Sequence, residues 1–134
     1  MNFPLALMVL TAQDQSSHET TFEFYLNRLG INLIEIPREN VWAEIGGTLR
    51  LIFKNRGAPT HLTISSPNAG MFTDFFHENM YVVDETVLTI PLRKDCHEGF
   101  FILEIITGYG GIKTSLSVDV IPGVDIQKPT SKEE

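Results

Sequence analysis

Alternation of apolar and polar residues, in short runs that end at turn residues, is the feature that most constrains this chain. The run TTFEFYL, from Thr20 to Leu26, places Phe22 and Phe24 at alternate positions. Successive side chains of a strand point to opposite faces, so this run predicts a half-buried strand. Similar runs recur down the chain while helical periodicity is almost absent, which is typical of a β-sandwich or barrel.

Further segments carry the same strand signal. They are Ile31–Ile36, the short and ambiguous Val41–Glu44, Thr48–Lys54, Thr60–Ser65, Thr86–Leu92, Phe100–Thr107 and Thr114–Ile121. We expect Leu51 and Phe53 to lie in the core, because they alternate with the charged Arg50 and Lys54. At the hairpin turn Gly108–Gly111 we expect at least one glycine with a positive φ. The sequence therefore predicts an all-β, Greek-key β-sandwich, immunoglobulin-like or cupredoxin-like, with about seven to nine strands and one short helix.

The stretch Met71–Met80 (MFTDFFHENM) breaks the strand pattern. Its large apolar residues are spaced at i, i+3, i+4 and i+8, which indicates one face of a short helix. These residues, with the tyrosine that follows, form the candidate interaction surface: Phe72, Phe75, Phe76, Met80 and Tyr81. Two interpretations stay open, a helix that plugs the end of the sandwich and a contact surface for a protein partner or for self-association. For the second, we expect Phe72 or Phe76 to stay partly exposed between chains.

The length of 134 residues fits one domain. We divide it into an N-terminal arm or strand at residues 1–19, the β-sandwich at 20–122 and a polar C-terminal tail at 123–134. The apolar run Phe3–Leu10 (FPLALMVL) suits a strand or an ordered arm, or the apolar part of a signal peptide, although no Lys or Arg precedes it. No apolar run approaches the roughly eighteen residues that a membrane-spanning helix needs, so we expect no transmembrane segment.

Charge and cysteine content exclude several classes of function. The net charge is −7 and the ten Lys and Arg residues are scattered singly, so we expect no binding to nucleic acid. Cys96 is the single cysteine, so no internal disulfide can form. This fits a reducing compartment such as the cytoplasm.

Catalytic motifs are missing from the sequence. Cys96 and His97 offer a thiol and a base, but adjacent residues cannot easily orient each other and no third group is indicated. The chain has no G-x-S-x-G, P-loop or G-x-G-x-x-G motif. We therefore expect no enzyme activity, no catalytic residue and no cofactor.

Copper is the sharpest metal hypothesis. Leu51–Asn55 followed by His61 resembles the central strand pair of the cupredoxins, where an Asn-containing turn leads to the first histidine ligand. In that family a Cys, a second His and usually a Met follow in the loop after the penultimate strand, and together they set the geometry of the ion. The matching loop here, Thr107–Gly111, contains none of them. The sequence therefore predicts no metal site. The alternative ligand set is His61, Cys96 and His97, although Cys96 and His97 come before the penultimate strand and not after it.

Three motifs, in their order along the chain, resemble those of an archaeal family of unknown function. They are Asn55–His61 (NRGAPTH), Asn79–Val82 (NMYV) and Thr107–Gly110 (TGYG), and the resemblance covers roughly Thr21 to Pro122. It implies an immunoglobulin-like or cupredoxin-like sandwich that is often followed by membrane-spanning helices, with no activity attached. We therefore expect a non-catalytic protein-interaction or structural module, the soluble part of a membrane-associated archaeal assembly. The alternative is a copper-binding or degenerate cupredoxin.

Overall fold

The structure, a computed structural model, describes residues 18–75, 77–109 and 111–123. Within these residues the chain forms nine strands and one short 3-10 turn. The strands are β1 (Glu19–Leu26), β2 (Ile34–Glu35), β3 (Val41–Glu44), β4 (Thr48–Asn55), β5 (Thr60–Ser65), β6 (His77–Val82), β7 (Glu85–Pro91), β8 (Gly99–Thr107) and β9 (Ile112–Ile121). The 3-10 turn, Ala69–Met71, lies between β5 and β6.

The nine strands form two packed sheets, so the predicted all-β sandwich is confirmed. One sheet has the order β2-β1-β4-β7 and the other the order β3-β9-β8-β5-β6. Two neighbouring pairs, β1 with β4 and β3 with β9, are parallel, and the other pairs are antiparallel. Each parallel pair joins strands that are distant in sequence, because parallel neighbours cannot be linked by a tight hairpin.

The core lies between the inward faces of the two sheets and follows the alternation of the sequence. Phe24 and Phe53 are fully buried on neighbouring strands, with ring centroids 4.9 Å apart. Leu51 is also fully buried, so the core positions predicted for β4 are confirmed. Aromatic side chains bury large areas, and a tilted pair at this distance is among the favourable ring arrangements.

The helix predicted over Met71–Met80 is wrong. The one helical turn of the described residues ends at Met71, and Met80 lies in β6, opposite Leu62 of β5. Between them, the Thr73 hydroxyl donates to the Pro91 carbonyl at 2.6 Å, which ties the segment to the end of β7. The spacings i+4 and i+8 are even numbers, so they also fit one face of a strand and did not discriminate between the two structures.

The strand predicted over Ile31–Ile36 is reduced to the two residues of β2. Asn27 and Asn32 adopt left-handed backbone conformations, with φ of 61° and 62°. Asparagine tolerates this region because its short side chain can hydrogen-bond locally, and here the Asn27 Oδ1 accepts from the Asn32 amide at 2.6 Å. Residues 27–33 are therefore a folded loop, the β1–β2 loop.

Four loops meet at one end of the sandwich, which we call the His61 end. They are residues 27–33, 56–59, 83–84 and 108–111, apart from position 110. The predictions for Phe3–Leu10, for the tail from residue 124 and for Phe76 concern residues outside the described part of the chain. Within that part, no helix is long and apolar enough to cross a bilayer.

Candidate functional site

Two of the five residues predicted as an interaction surface, Phe72 and Met80, belong to the core. Phe72 is only 6% exposed, and its ring centroid lies 5.7 Å from that of Phe101. Met80 is buried as well, on the inward face of β6. The hypothesis that Phe72 stays partly exposed is therefore wrong, and neither Phe72 nor Met80 is available to a partner. Both side chains pack in the core, which is the inward orientation that the plug interpretation requires, although the segment is not a helix.

The other described members of that surface are more accessible. Phe75 is half-buried against the core and lines a pocket of about 510 Å³, together with Asp74 and Arg93. Tyr81 points outward from β6 and is 59% exposed. Tyr81 is therefore the described member that a partner reaches most readily.

Tyr81 belongs to a cluster of three aromatic rings centred on His61. The His61 ring centroid lies 5.0 Å from that of Tyr81 and 4.7 Å from that of Tyr109. Tyr81 is the cross-strand partner of His61, and Tyr109 comes from the β8–β9 turn. The cluster borders a shallow pocket of about 240 Å³, completed by residues that include Asn32 and Pro59. The structure therefore packs the imidazole against two phenol rings at the surface.

The Asn55 carboxamide positions the turn that leads to His61. Its Nδ2 donates to the carbonyls of Ala58 and Val82, each at 2.9 Å, and its Oδ1 accepts from the Gly57 amide at 2.9 Å. The same Oδ1 accepts from Asn27 Nδ2 at 2.8 Å. Because Asn55 is buried, each of these bonds replaces a lost contact with water. The Asn55 side chain therefore connects the loops 27–33 and 56–59 with the end of β6.

The β8–β9 turn holds Tyr109 beside His61. Gly108 has a φ of 72°, which confirms the expectation of a left-handed glycine in this turn. Its amide donates to the His61 carbonyl at 2.9 Å. A Cβ at this position would be strained by the positive φ and would lie 2.9 Å from Asn32 Nδ2, so the Asn32 side chain would have to shift.

The alternative copper ligands are not brought together. His61 stands at the start of β5, beside the end of β8, because Leu62 pairs with Thr107. Cys96 and His97 precede the start of β8, at the opposite end of the same strand. At about 3.3 Å per residue, the nine residues of β8 separate the two ends by about 27 Å. Together with His61 they cannot bind one ion, and no cluster of three His, Cys, Asp or Glu side chains suited to a metal exists among the described residues.

Cys96 lacks the surroundings of a reactive thiol. Burial raises the pKa of Cys96 above the ordinary value of a thiol, although Arg93 opposes this in part. Its Sγ donates to the Arg93 carbonyl at 3.2 Å. A catalytic cysteine needs a lowered pKa, because the thiolate is the nucleophile. The direction of the shift in the pKa therefore argues against a nucleophilic role.

A surface that the sequence reasoning missed runs along the outer face of β8. Phe100 is 54% exposed, and Ile102 and Ile106 are half-buried, while Phe101, Leu103 and Ile105 on the opposite face are fully buried. We call the apolar members of the outward set, Phe100, Ile102 and Ile106, the β8 stripe. Glu104 lies on the same face between Ile102 and Ile106, and its carboxylate pairs with Lys113 at 3.6 Å. The signal was the nearly uninterrupted apolar run FFILEII, which is typical of a strand covered on both faces.

The side chain of Asn68 holds the start of this stripe in extended form. Its Oδ1 accepts from the Ile102 amide at 2.9 Å and its Nδ2 donates to the Phe100 carbonyl at 3.3 Å. Ladder pairing between β5 and β8 stops at Ser65 and Glu104, so Asn68 continues the hydrogen bonding where β5 has ended. Within the described part of the chain, this side chain takes the place of a neighbouring strand beside the first residues of β8.

No protein-family model matches the chain, and the search of curated proteins finds none that is significantly similar.

Proposed function

We propose that the chain is a non-catalytic interaction module that binds another protein through the outer face of its five-stranded sheet. The observation that carries the proposal is the β8 stripe, three apolar side chains on a solvent-facing sheet face that they share with the ion pair of Glu104 and Lys113. A half-exposed antiparallel strand ordinarily alternates apolar and polar residues, so apolar side chains on both faces indicate a second contact. The proposal includes the role implied by the family resemblance, the soluble part of a membrane-associated archaeal assembly.

The surroundings of the stripe support a protein partner. β8 is the central strand of its sheet, and the strands beside it present polar side chains, including the charged Asp119 opposite Phe100 and Lys113 opposite Ile106. Thr63 and Ser65 lie opposite Ile106 and Glu104 on one side, and Ser117 lies opposite Ile102 on the other. An apolar centre with a hydrogen-bonding rim is the usual composition of a protein interface. The rim would fix the orientation of the partner, and the stripe would exclude water.

The dimensions of the sheet face agree with this use. Five strands spaced about 4.8 Å apart and about 20 Å long give a projected area of roughly 500 Å². Its accessible area is larger, because side chains stand out from the plane, and a standard interface takes about 800 Å² from each partner. The face is thus large enough to form the central part of such an interface.

A change of charge in the stripe tests the proposal. We expect Phe100→Asp and Ile106→Asp to abolish partner capture or self-association with little change in the thermal midpoint, because both side chains point away from the core. Val87→Asp is the matched control, since Val87 points outward from the other sheet and is 38% exposed. Light scattering measures self-association, and affinity capture with a photo-crosslinker at position 102 or 87 maps a partner. Capture that survives both stripe variants, or crosslinks at position 87 alone, would contradict the proposal.

A second candidate is a degenerate cupredoxin, favoured by the pairing of the strands. The immunoglobulin sandwich consists of antiparallel sheets, whereas β1 with β4 and β3 with β9 are parallel here. His61 follows the Asn55 turn as the first ligand does in cupredoxins. At this end, however, Tyr81 and Tyr109 pack on the imidazole. This supports a cupredoxin-like sandwich whose ligand loop has been replaced by an aromatic surface.

A further inference from the structure

Three large apolar side chains protrude at the His61 end on two neighbouring loops. Leu29 and Ile31 of the β1–β2 loop are 70% and 86% exposed, and Tyr109 of the β8–β9 turn is 89% exposed. We call these three residues the apolar tip. Single exposed apolar residues are common on proteins, but several at one end of a domain are typical of a surface with a partner.

The two loops that carry the apolar tip are tied together. The Thr107 hydroxyl, at the end of β8, donates to the Asn32 carbonyl at 2.6 Å. Asn32 also lies directly against Gly108, since a Cβ on Gly108 would be 2.9 Å from Asn32 Nδ2. The three side chains are therefore presented by one connected piece of structure.

The backbone of the β1–β2 loop uses several of its polar groups internally. The Asn27 amide donates to the Leu33 carbonyl at 3.0 Å, and the Leu33 amide donates to the Gly30 carbonyl at 3.1 Å. The Asn32 amide is bonded to Asn27 Oδ1, as described above. These bonds fix the backbone at both ends of the loop, so Leu29 and Ile31 are presented between two fixed points.

Two arginines stand on the loops of this end. The guanidinium carbon of Arg28 lies 3.8 Å from the ring centroid of Tyr25, and that of Arg56 lies 5.2 Å from it. Arg28 also pairs with Glu35 at 2.8 Å, whereas Arg56 is in no ion pair within the described part of the chain. Neither loop 27–33 nor loop 56–59 contains an acidic residue, although the chain as a whole carries a net charge of −7. These two loops are therefore cationic, whereas a third loop at this end, 83–84, contains the acidic Asp84.

We propose that the apolar tip inserts into the headgroup region of an anionic lipid bilayer. Leu29 and Ile31 protrude from one loop, whereas Tyr109 is exposed and also borders the shallow pocket beside His61. A protein partner would need a cavity that matches these side chains, whereas a bilayer accepts any protruding apolar shape. Leu29 and Ile31 bury aliphatic surface, Tyr109 places a ring with a polar hydroxyl at the interface, and Arg56 faces lipid phosphates. This contact is separate from the β8 stripe and does not depend on the protein-binding proposal.

Co-sedimentation of the full chain with vesicles tests the proposal. The probe is a vesicle of phosphatidylcholine and phosphatidylglycerol at about two to one, compared with pure phosphatidylcholine. We expect the wild type to bind the mixed vesicles, more weakly at higher salt, and to bind neutral vesicles less. Leu29→Asp and Ile31→Asp should each lower the partition coefficient about tenfold or more, because each removes one buried aliphatic group and adds a repelled charge.

Met71→Asp is the matched control, because Met71 is also 70% exposed and lies in the 3-10 turn that follows β5, at the opposite end. It should bind mixed vesicles like the wild type. Leu29→Ser and Ile31→Ser serve as second variants should an aspartate lower the thermal midpoint. A wild type that stays in the supernatant with the mixed vesicles would overturn the proposal, as would equal losses in Met71→Asp and Leu29→Asp. Self-association that Leu29→Asp abolishes, without vesicle binding by the wild type, would assign the tip to a second copy of the chain instead.

Discussion

Asn55 links the end of β4 to the loops on either side of it through one carboxamide. Four hydrogen bonds of 2.8 to 2.9 Å, to Asn27, Gly57, Ala58 and Val82, use both of its polar atoms. The side chain is buried, so water cannot replace these bonds without opening the structure. The position of His61 therefore depends on a residue that points away from the aromatic cluster, into the sandwich.

We expect Asn55→Ala to lower the free energy of unfolding by about 2 to 3 kcal/mol, because it leaves buried donors and acceptors without partners. Urea denaturation measures the change. Asn79→Ala is the matched control: its Oδ1 accepts from the Thr63 hydroxyl at 2.8 Å, but that bond is exposed. The control should change the free energy of unfolding by no more than about 0.5 kcal/mol. Equal effects of the two substitutions would contradict the role of the Asn55 network.

Phe53 tests the packing of the core at a single residue. We expect Phe53→Ala to lower the free energy of unfolding by about 3 to 5 kcal/mol, because it removes a fully buried ring that packs against Phe24. Ile52→Ala, at the neighbouring outward position, is the control and should cost less than about 1.5 kcal/mol. Chemical denaturation followed by circular dichroism measures both. A larger loss for Ile52→Ala than for Phe53→Ala would mean that the register of β4 is reversed.

At the scale of the element, the β8–β9 turn depends on the backbone of Gly108. We expect Gly108→Ala to destabilise the domain by at least about 1 kcal/mol, because alanine is strained at a φ of 72° and its Cβ would meet Asn32. Gly70→Ala is the control, since a Cβ on Gly70 would have no neighbour within 4 Å and the φ of this residue is not positive. The control should change the thermal midpoint little or raise it. An unchanged midpoint for Gly108→Ala would refute the left-handed turn.

Most strands could be predicted because alternation fixes both the element and its buried face. β4 and β5 are recovered within one residue of the predicted bounds, and Phe22 and Phe24 of β1 point inward as the pattern requires. β2 is shorter than predicted, because Asn27 and Asn32 turn the chain before pairing begins. Alternation shows that a segment is able to form a strand. The length of β2 is decided by its hydrogen bonding with β1, which spans two residues.

In the aromatic segment Met71–Met80, periodicity does not distinguish a helix from a strand. Phe72 and Met80 are eight residues apart, a spacing that suits one face of a helix and one face of a strand equally. The decision was made by tertiary pairing, since Met80 lies opposite Leu62 in the sheet. The sequence does not show that Met80 pairs with Leu62, so β6 was not predicted. The candidate interaction surface was therefore assigned to residues that lie in part in the core.

The β8 stripe was invisible for a related reason. Phe100, Phe101, Ile102 and Leu103 are all apolar, so no alternation shows which of them point inward. The register with β9, in which Phe101 pairs with Val118, buries Phe101 and leaves Phe100 outside. The sequence can indicate that both faces of such a strand are covered, because both are apolar. It does not identify the partner that covers the second face.

At the scale of the whole molecule, the separation of His61 from Cys96 by the length of β8 determines the response to copper. We expect a titration with Cu(II) to give no intense thiolate-to-copper band in the visible spectrum, because imidazole and thiolate cannot reach the same ion. His61→Ala and Cys96→Ala should then leave the spectrum unchanged. A visible band that disappears in Cys96→Ala would restore the copper-binding alternative and exclude a degenerate site.

The parallel pair of β3 and β9 also determines when the domain can fold. Among the described strands, β3 (Val41–Glu44) has β9 as its single neighbour in the sheet, and the register joins Val41 to Val118 and Glu44 to Ile121. During synthesis β3 leaves the ribosome long before its partner exists, and β8 also lacks one of its two neighbours until β9 has emerged. Closing so long a segment costs entropy before any contact repays it, so chains of this topology fold in milliseconds to seconds instead of microseconds. The nascent chain therefore exposes the apolar run of β8 until β9 arrives, and this interval is when the protein is most open to aggregation or to chaperones.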